Sequence, residues 1–175
     1  MKYPYIIPVL VVSTVLLSGC VYNTGVPTTS PISQNEQTQP TVQEDNKGND
    51  TDTVRSLDNK GLTSVPSDIF DNTAIEVLDL SHNDLTGSLP AEIRHLSRLK
   101  TLDISYNSMT GIPAEIGQLQ ELETLNLSHN QFTGLPYELG NLTHLKTLDI
   151  SGNKYSTADL AIIEKQLPSS VTIIK

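Results

Sequence analysis

The chain has 175 residues, a formal net charge of −9 at pH 7, one Cys and no Trp. A single Cys excludes a disulfide framework within the chain. The acidic balance argues against nucleic acid or an anionic lipid surface as a direct partner. The length is sufficient for one compact domain.

The N-terminal segment has the pattern of an export signal. Met1-Lys2 is a short basic start, and residues 6–17 are apolar except for Pro8, Ser13 and Thr14. A stretch of this length suits the apolar region of a signal peptide, because a membrane-spanning helix needs ~20 residues. The segment ends in Leu17-Ser18-Gly19-Cys20, which resembles the lipobox of bacterial lipoproteins.

The resemblance implies that the signal peptide, residues 1–19, is removed and that Cys20 carries the lipid. Two or more acyl chains give stable anchoring, whereas one gives only marginal binding. We therefore expect an exported protein anchored through Cys20 to the extracytoplasmic side of a bacterial cell membrane or outer membrane. In this family an Asp directly after the lipidated Cys favours retention at the inner membrane. The residue here is Val21, so we expect the outer membrane in a host that has one. A plain signal peptide with an incidental Cys and an uncleaved anchor are the alternatives.

The next segment completes the region 20–53 and is rich in Thr, Gln, Asn, Pro and Ser. Residues 21–53 include five acidic residues and one Lys. Such a composition cannot bury enough apolar surface to offset the loss of chain entropy, so we predict a disordered linker. Its average end-to-end distance would be roughly 30 Å, which would hold the following domain off the bilayer.

From residue 54 onward the sequence repeats one phrase, seen in full at 77–87, 101–111 and 124–134 and in part from residue 147. Its asparagines stand at 83, 107, 130 and 153, in steps of 24, 23 and 23 residues. A fixed period of this size indicates a solenoid. The pattern L-x-x-L-x-L-x-x-N-x-L resembles the leucine-rich repeat family.

The resemblance implies an α/β repeat solenoid over residues 54–175, with a parallel β-sheet on its concave face. We expect a short arc of about four and a half repeats, at 54–74, 75–98, 99–121, 122–144 and 145–175. The first repeat is degenerate, since Arg55 and Lys60 replace the Leu and Asn of the pattern. End repeats are atypical because one flank faces water. The last should be a helical cap that completes the domain.

Each full repeat should begin with a short strand, such as residues 77–81, and the strands should stack about 4.8 Å apart. The side chains predicted to face the core in the first full repeat are Leu78, Leu80, Leu85, Leu89, Ile93 and Leu96. In the family, the repeated asparagine bonds backbone groups of its turn and forms a ladder between coils. A buried amide needs such partners. We therefore interpret Asn83, Asn107, Asn130 and Asn153 as structural residues.

Further residues predict the structure of the convex side and of the C-terminal cap. Pro90, Pro113 and Pro136 should end each strand region, because proline fixes φ and removes a backbone donor. Two residues later, Glu92, Glu115 and Glu138 should face solvent. Ser156 has the position of an N-cap before a helix that carries Leu160, Ile163 and Leu167 on one face. Pro168 should end this helix, and residues 171–174 should add a final strand.

Three columns of side chains are predicted on the concave face. One holds Asp79, Asp103, Asn126 and Asp149, the next Ser81, Ser105, Ser128 and Ser151, and the third His82, Tyr106, His129 and Gly152. The first and third columns form the candidate binding face, because the third varies between repeats and includes an aromatic residue of the kind enriched in binding hot spots. The alternative is that these columns are ordinary repeat consensus exposed to solvent.

A metal or hydrolytic site built from His82, His129 and the aspartates is the remote alternative. The two histidines lie two strands apart, about 10 Å between backbones, so one zinc ion would require both side chains to converge over Tyr106. Ser-His neighbours recur through the repeat register, which makes a catalytic triad coincidental. We therefore predict no catalytic residue, no metal and no cofactor.

These observations predict a membrane-anchored leucine-rich repeat lipoprotein that recognises another protein, or a surface glycan, on its concave face without catalysis. The alternative function is a structural or regulatory envelope component, such as an inhibitor of a wall or periplasmic enzyme. Residues 54–175 carry nine basic and fifteen acidic residues. Low salt should therefore strengthen binding to a basic partner.

Overall fold

A computed structural model describes residues 52–175. The predicted signal peptide and lipid attachment site, and the predicted linker up to residue 51, lie outside the described residues. In the part of the chain that the structure describes, no helix has the length and apolar character needed to cross a membrane.

Eight short strands are found in residues 52–175, and six of them form one parallel sheet. The strands are β1 (Val54–Ser56), β2 (Val77–Asp79), β3 (Thr86–Ser88), β4 (Thr101–Asp103), β5 (Ser108–Gly111), β6 (Thr124–Asn126), β7 (Thr147–Asp149) and β8 (Thr172–Ile174). The large sheet has the order β1-β2-β4-β6-β7-β8 with every pair parallel. The predicted solenoid with a parallel sheet is confirmed.

The register of this sheet places equivalent residues of successive coils side by side. Leu78 on β2 lies opposite Leu102, which is followed across the sheet by Leu125 and Leu148. Arg55 occupies this position at one edge and Ile173 at the other. Because the coil period fixes the register, any residue type repeated in the sequence becomes a continuous column in space.

The core lies behind the sheet and is filled by the repeated aliphatic side chains. All six residues predicted to face inward in the first full repeat are buried, as are their equivalents in the next two coils. Ile69 and Phe70 cover the first coil, and Leu160 and Ile163 cover the last. The aliphatic pattern therefore predicted the core correctly.

On the side opposite the sheet, each of the first four coils contains a short 3-10 helix. These helices span Ser67–Asp71, Ala91–His95, Ala114–Gln118 and Tyr137–Asn141, and each follows a proline. Proline fits this position because its φ is fixed near −65° and it has no N–H to leave unpaired. Glu92 and Glu138 are exposed as predicted, whereas Glu115 is half-buried.

The C-terminal coil ends in a helix, α1 (Thr157–Glu164), followed by β8. The Ser156 hydroxyl oxygen accepts a hydrogen bond from the backbone N–H of Asp159 at 3.2 Å, so Ser156 is the N-cap that the sequence predicts. The final strand pairs with β7 and extends the sheet by one position. The predicted helical cap and closing strand are both confirmed. The predicted end of the helix is wrong, because α1 ends at Glu164, so Leu167 is buried beyond the helix and Pro168 does not end it.

Two further details differ from the sequence prediction. The strands of the large sheet have three residues rather than five, because the chain turns after Asp79 and its equivalents. In addition, β3 and β5 pair in a second, two-stranded parallel sheet that the repeat pattern did not predict. This small sheet joins the two coils that begin with β2 and β4.

Candidate functional site

The solvent-facing side of the large sheet carries the aspartate column, defined as Asp79, Asp103, Asn126 and Asp149. These residues are direct register partners on β2, β4, β6 and β7. All four are half-buried. They stand beside one another as the sequence predicts, at the ends of their strands.

Each member of the aspartate column is bonded to the serine two residues later. In the first full coil, Asp79 Oδ1 accepts hydrogen bonds from the Ser81 N–H at 2.9 Å and from the Ser81 hydroxyl at 2.7 Å. The same pair of bonds recurs at Asp103, Asn126 and Asp149. This local turn ends the strand and leaves the second side-chain oxygen of each aspartate directed away from the serine.

The predicted exposure of the serine column is wrong. Ser81, Ser105 and Ser128 are 7%, 3% and 4% exposed, and Ser151 is half-buried. The reason is the double hydrogen bond to the preceding carboxylate or amide, which holds each hydroxyl against the turn. The serines therefore lie below the surface beside the aspartate column, and a partner would not contact them directly.

Asn126 differs from the aspartates of the column because it carries a neutral amide in place of a carboxylate. Its Oδ1 makes the same two bonds to serine, and its Nδ2 donates to Asp103 Oδ2 at 2.8 Å. An amide at this position therefore preserves the turn. The chain itself shows that replacing a carboxylate by an amide here is compatible with the fold.

His82, Tyr106 and His129 follow the serines and lie in the turns immediately after the strands. Their backbones have φ of 54°, 53° and 52°, a conformation uncommon for residues other than glycine. The N–H of each donates to the carbonyl of the serine in the next coil, at 3.0, 3.0 and 2.8 Å. These bonds hold the three turns at the spacing of the coils, which brings the side chains into one column.

The three side chains form a continuous ring stack. The ring centroids of His82 and Tyr106 are 4.4 Å apart with planes inclined by 9°, and those of Tyr106 and His129 are 4.2 Å apart with planes inclined by 17°. Tyr106 is 48% exposed. Because both of its faces contact imidazoles, the stack presents ring edges, ring nitrogens and a hydroxyl to solvent.

Gly152 ends the ring stack. It has φ of +70°, and a Cβ placed on it would lie 2.7 Å from Nδ1 of His129. The His129 ring therefore occupies the space that a side chain at residue 152 would need. Glycine at this position allows the last ring to lie flat over the following coil.

This arrangement does not bring the histidines together as a metal or hydrolytic site. Tyr106 separates the two imidazoles by two ring spacings, whereas one zinc ion would need both nitrogens at ~2.1 Å. The Ser81 hydroxyl donates to the Asp79 carboxylate rather than to an imidazole, so Ser81 does not make the Ser-His hydrogen bond that a catalytic triad needs. Within residues 52–175, no three His, Cys, Asp or Glu side chains are grouped to hold a metal.

The repeated asparagines make the hydrogen bonds expected of a ladder between coils. Asn130 Oδ1 accepts from the Met109 N–H at 2.9 Å, and its Nδ2 donates to the carbonyls of Ile104, Leu127 and Ser128. Asn83, Asn107 and Asn153 make equivalent bonds. Every polar atom of these amides is used by backbone groups, which leaves none for a ligand.

A charged column that the sequence interpretation missed borders the opposite edge of the concave face. It consists of Glu76, Lys100, Glu123 and Lys146, which alternate in sign from coil to coil. Lys100 pairs with Glu76 at 2.8 Å and Lys146 with Glu123 at 2.7 Å. The hydrogen bond and charge of Lys100 lower the pKa of Glu76, and the same contact raises the pKa of Lys100. The sequence could have predicted this column, because acidic and basic residues alternate at one position of the repeat.

One further depression lies away from the concave face. It has a volume of about 450 Å³ and is lined in part by Phe70, Pro90 and His95. None of the residues predicted for binding lines it. The aspartate column and the ring stack therefore remain the candidate site.

Comparison with known proteins agrees with this architecture. A family model described as a leucine-rich repeat region matches residues 55–171. No curated protein matches the sequence. A leucine-rich repeat protein of Leptospira interrogans is 36% identical, with a TM-score of 0.60, over 65% of this chain and 28% of that one. The present chain thus spans less than a third of the Leptospira chain.

Two structures from Arabidopsis are also similar. A chain of the BIR3–SERK2 complex of Arabidopsis thaliana is 33% identical over 67% of this chain and 64% of that one, with a TM-score of 0.56. A chain of the complex of the Arabidopsis receptor kinase HAESA with the peptide hormone IDA and the co-receptor SERK1 is 33% identical over 61% of this chain and 18% of that one, with a TM-score of 0.52. Together with the repeat register and the asparagine ladder, these matches show that the chain belongs to the leucine-rich repeat family.

Proposed function

We propose that this protein is an exported lipoprotein, anchored through Cys20, that recognises another protein on its concave face without catalysis. Leucine-rich repeat domains are typical of protein–protein recognition modules, and the fold is generally a non-catalytic scaffold. The structure of HAESA with a peptide hormone supports a polypeptide as the partner, by analogy at the level of the fold.

The observation that carries the proposal is the exposed ring stack beside the aspartate column. Aromatic side chains are enriched in binding hot spots, where burial against a partner gives much of the binding energy. Tyr106 leaves about half of its surface in solvent although both ring faces are covered. A partner that covered the edge of the stack would remove this surface from water and meet the nitrogens and hydroxyl at the ring edges.

Crosslinking pull-downs from envelope extracts and from host-surface extracts test this function. The baits are the full chain and a variant with His82→Ala, Tyr106→Ala and His129→Ala. We expect a partner that the wild-type chain captures to be reduced by at least roughly tenfold with the variant, the effect of one hot-spot residue or a few weaker ones.

The matched control replaces exposed residues on the other side of the molecule, with His95→Ala, Tyr137→Ala and His144→Ala. It removes the same residue types from exposed positions. Equal capture by the wild type, the variant and the control would exclude the ring stack as the interface. Capture of nothing by the wild-type chain from either extract would contradict the recognition function itself.

The proposed anchor is supported by the apolar segment at 6–17 and by the chain's single Cys directly after Leu17-Ser18-Gly19. Growth of bacterial cells expressing the protein with an alkyne-tagged fatty acid should label the wild-type chain. Cys20→Ser should abolish the label, because the acyl chains would be attached at this residue, and should release the protein from the membrane fraction. Retention of the label in Cys20→Ser would show that the lipid is attached elsewhere, and absence of the label from the wild-type chain would show that the protein is not a lipoprotein.

A further inference from the structure

The middle of the concave face is narrow and lies between two borders. Its centre holds short side chains, namely the aspartate column and the column of Val77, Thr101, Thr124 and Thr147, all of them half-buried. One border is the charged column and the other is the ring stack. Small residues between taller borders make a strip that suits an extended chain running across the strands.

The charge of this strip is negative and is not balanced by the cations beside it. Lys100 and Lys146 stand on the bordering charged column, and each is already paired with a glutamate of that column. Among the residues that the structure describes, no Lys or Arg forms an ion pair with Asp79, Asp103 or Asp149. Their Oδ1 atoms bind serine, which leaves the Oδ2 atoms of Asp79 and Asp149 directed away from the turn.

We propose that the concave face takes an extended cationic polypeptide segment, with Lys or Arg side chains on the aspartate column and their aliphatic stems along the ring stack. This inference rests on the proposed recognition function and adds the chemistry of the partner. Long basic side chains suit the site because their stems cover apolar surface while their charged ends remain beside carboxylates. Asp79 and Asp149 are three strand spacings apart, roughly 14 Å, which about four extended residues span.

The same charges disfavour other occupants. The chain's own segment 21–53 contains five acidic residues and one Lys, so it has the sign of the aspartates. Nucleic acid has that sign as well, and a neutral glycan would leave the carboxylates unpaired. A cationic segment of a partner protein is the occupant that complements the face.

The test uses the full chain, purified in an uncharged detergent, and fluorescently labelled peptides of alternating Gly and Arg with three Arg residues. Fluorescence anisotropy should show binding of this peptide and no binding of the peptide with Gln in place of Arg. A variant with Asp79→Asn, Asp103→Asn and Asp149→Asn should bind the Arg peptide roughly tenfold more weakly. Its turns should form normally, because Asn126 already makes the turn bonds with an amide, and the one further loss is the acceptor that Asp103 Oδ2 provides for Asn126 Nδ2. The double variant Asp79→Asn and Asp149→Asn keeps this bond and should also weaken binding of the Arg peptide.

The matched control is Glu92→Gln, Glu115→Gln and Glu138→Gln, which changes the net charge equally on the opposite side of the molecule. It should bind the Arg peptide within about twofold of the wild type, because charges so far from the concave face are screened by salt. Equal weakening in both variants would overturn the inference, since it would reflect net charge alone. Failure of the wild type to bind the Arg peptide would also overturn it.

The inference and the proposed function fail in different ways. If the pull-down partner is retained by the Asp79→Asn, Asp103→Asn and Asp149→Asn variant, the cationic segment is wrong and the recognition function stands. If the wild-type chain captures no partner, the recognition function fails whatever the peptide result. Both the recognition function and the cationic segment would be supported if the same partner were lost from two variants. These are the triple aspartate-to-asparagine variant and the variant with alanine at His82, Tyr106 and His129.

Discussion

Asn130→Ala should lower the free energy of unfolding by about 2–4 kcal/mol. The Asn130 amide is 7% exposed, and it accepts from the Met109 N–H and donates to three carbonyls. Its removal leaves a buried N–H without a partner, and each such group costs about 1–3 kcal/mol. The carbonyls lose a shared donor at the same time. Water has little access, because the turn is closed by the coils on both sides.

Urea unfolding followed by circular dichroism measures this loss, with Asn141→Ala as the control. Asn141 is exposed in a 3-10 helix, so the same substitution should change the unfolding free energy by less than about 0.5 kcal/mol. Asn130→Asp should be damaging at neutral pH, because it keeps an acceptor for Met109 but sets a carboxylate against carbonyl oxygens. Similar stabilities for the Asn130→Ala and Asn141→Ala proteins would show that the ladder contributes nothing measurable.

Phe132→Ala should destabilise the protein by about 3–5 kcal/mol. Phe132 is completely buried and occupies the repeat position held by Leu85 and Met109 in the preceding coils. Deleting a buried aromatic side chain loses its transfer free energy and leaves a cavity that the surrounding coils fill only in part. The coils on either side are fixed by the sheet register and by the asparagine ladder, so collapse into the cavity is limited.

Phe132→Leu is the informative comparison, since leucine fills this position two coils earlier. We expect it to cost about 1–2 kcal/mol, because most of the buried volume is kept. Tyr137→Ala, at a residue 50% exposed, provides the surface control and should have a small effect. If Phe132→Ala and Phe132→Leu had equal midpoints in urea, the cavity argument would be wrong.

The ion pairs of the charged column should contribute less to the free energy of unfolding than Asn130 or Phe132 does. Lys100 holds the pKa of Glu76 below its ordinary value, and Lys146 does the same for Glu123. A carboxyl whose pKa is lowered on folding contributes stability above its unfolded pKa, and this is lost as the pH falls through the folded pKa. Both pairs are exposed at the edge of the sheet, so solvent and salt reduce their contribution.

The position of every column was predictable from the sequence. The coil period is 23 or 24 residues, and parallel strands in register place residue i beside residue i+23 or i+24. Leu78, Leu102 and Leu125 therefore had to lie side by side, and so did the asparagines and the aspartates. The alternation of apolar and polar residues then decided which side chains entered the core.

The hydrogen bonds of the serines could not be predicted in the same way. The repeat pattern places Ser81 at the end of the predicted strand 77–81, where alternation would expose its side chain. In the folded chain, Asp79 instead accepts hydrogen bonds from both the N–H and the hydroxyl of Ser81, and this turn ends the strand at Asp79. A choice between extending a strand and closing a turn depends on local hydrogen-bond geometry that residue types alone do not specify.

The sequence by itself determined the solenoid, its core, its asparagine ladder and the membership of each surface column. Only the tertiary structure decided what the columns became, namely the ring stack of His82, Tyr106 and His129, the paired charged column and the small sheet of β3 and β5. The physical reason is that periodicity fixes which backbones are neighbours. Stacking, ion pairing and added strand pairing depend on side-chain directions and turn dihedrals, which are settled only when neighbouring coils pack.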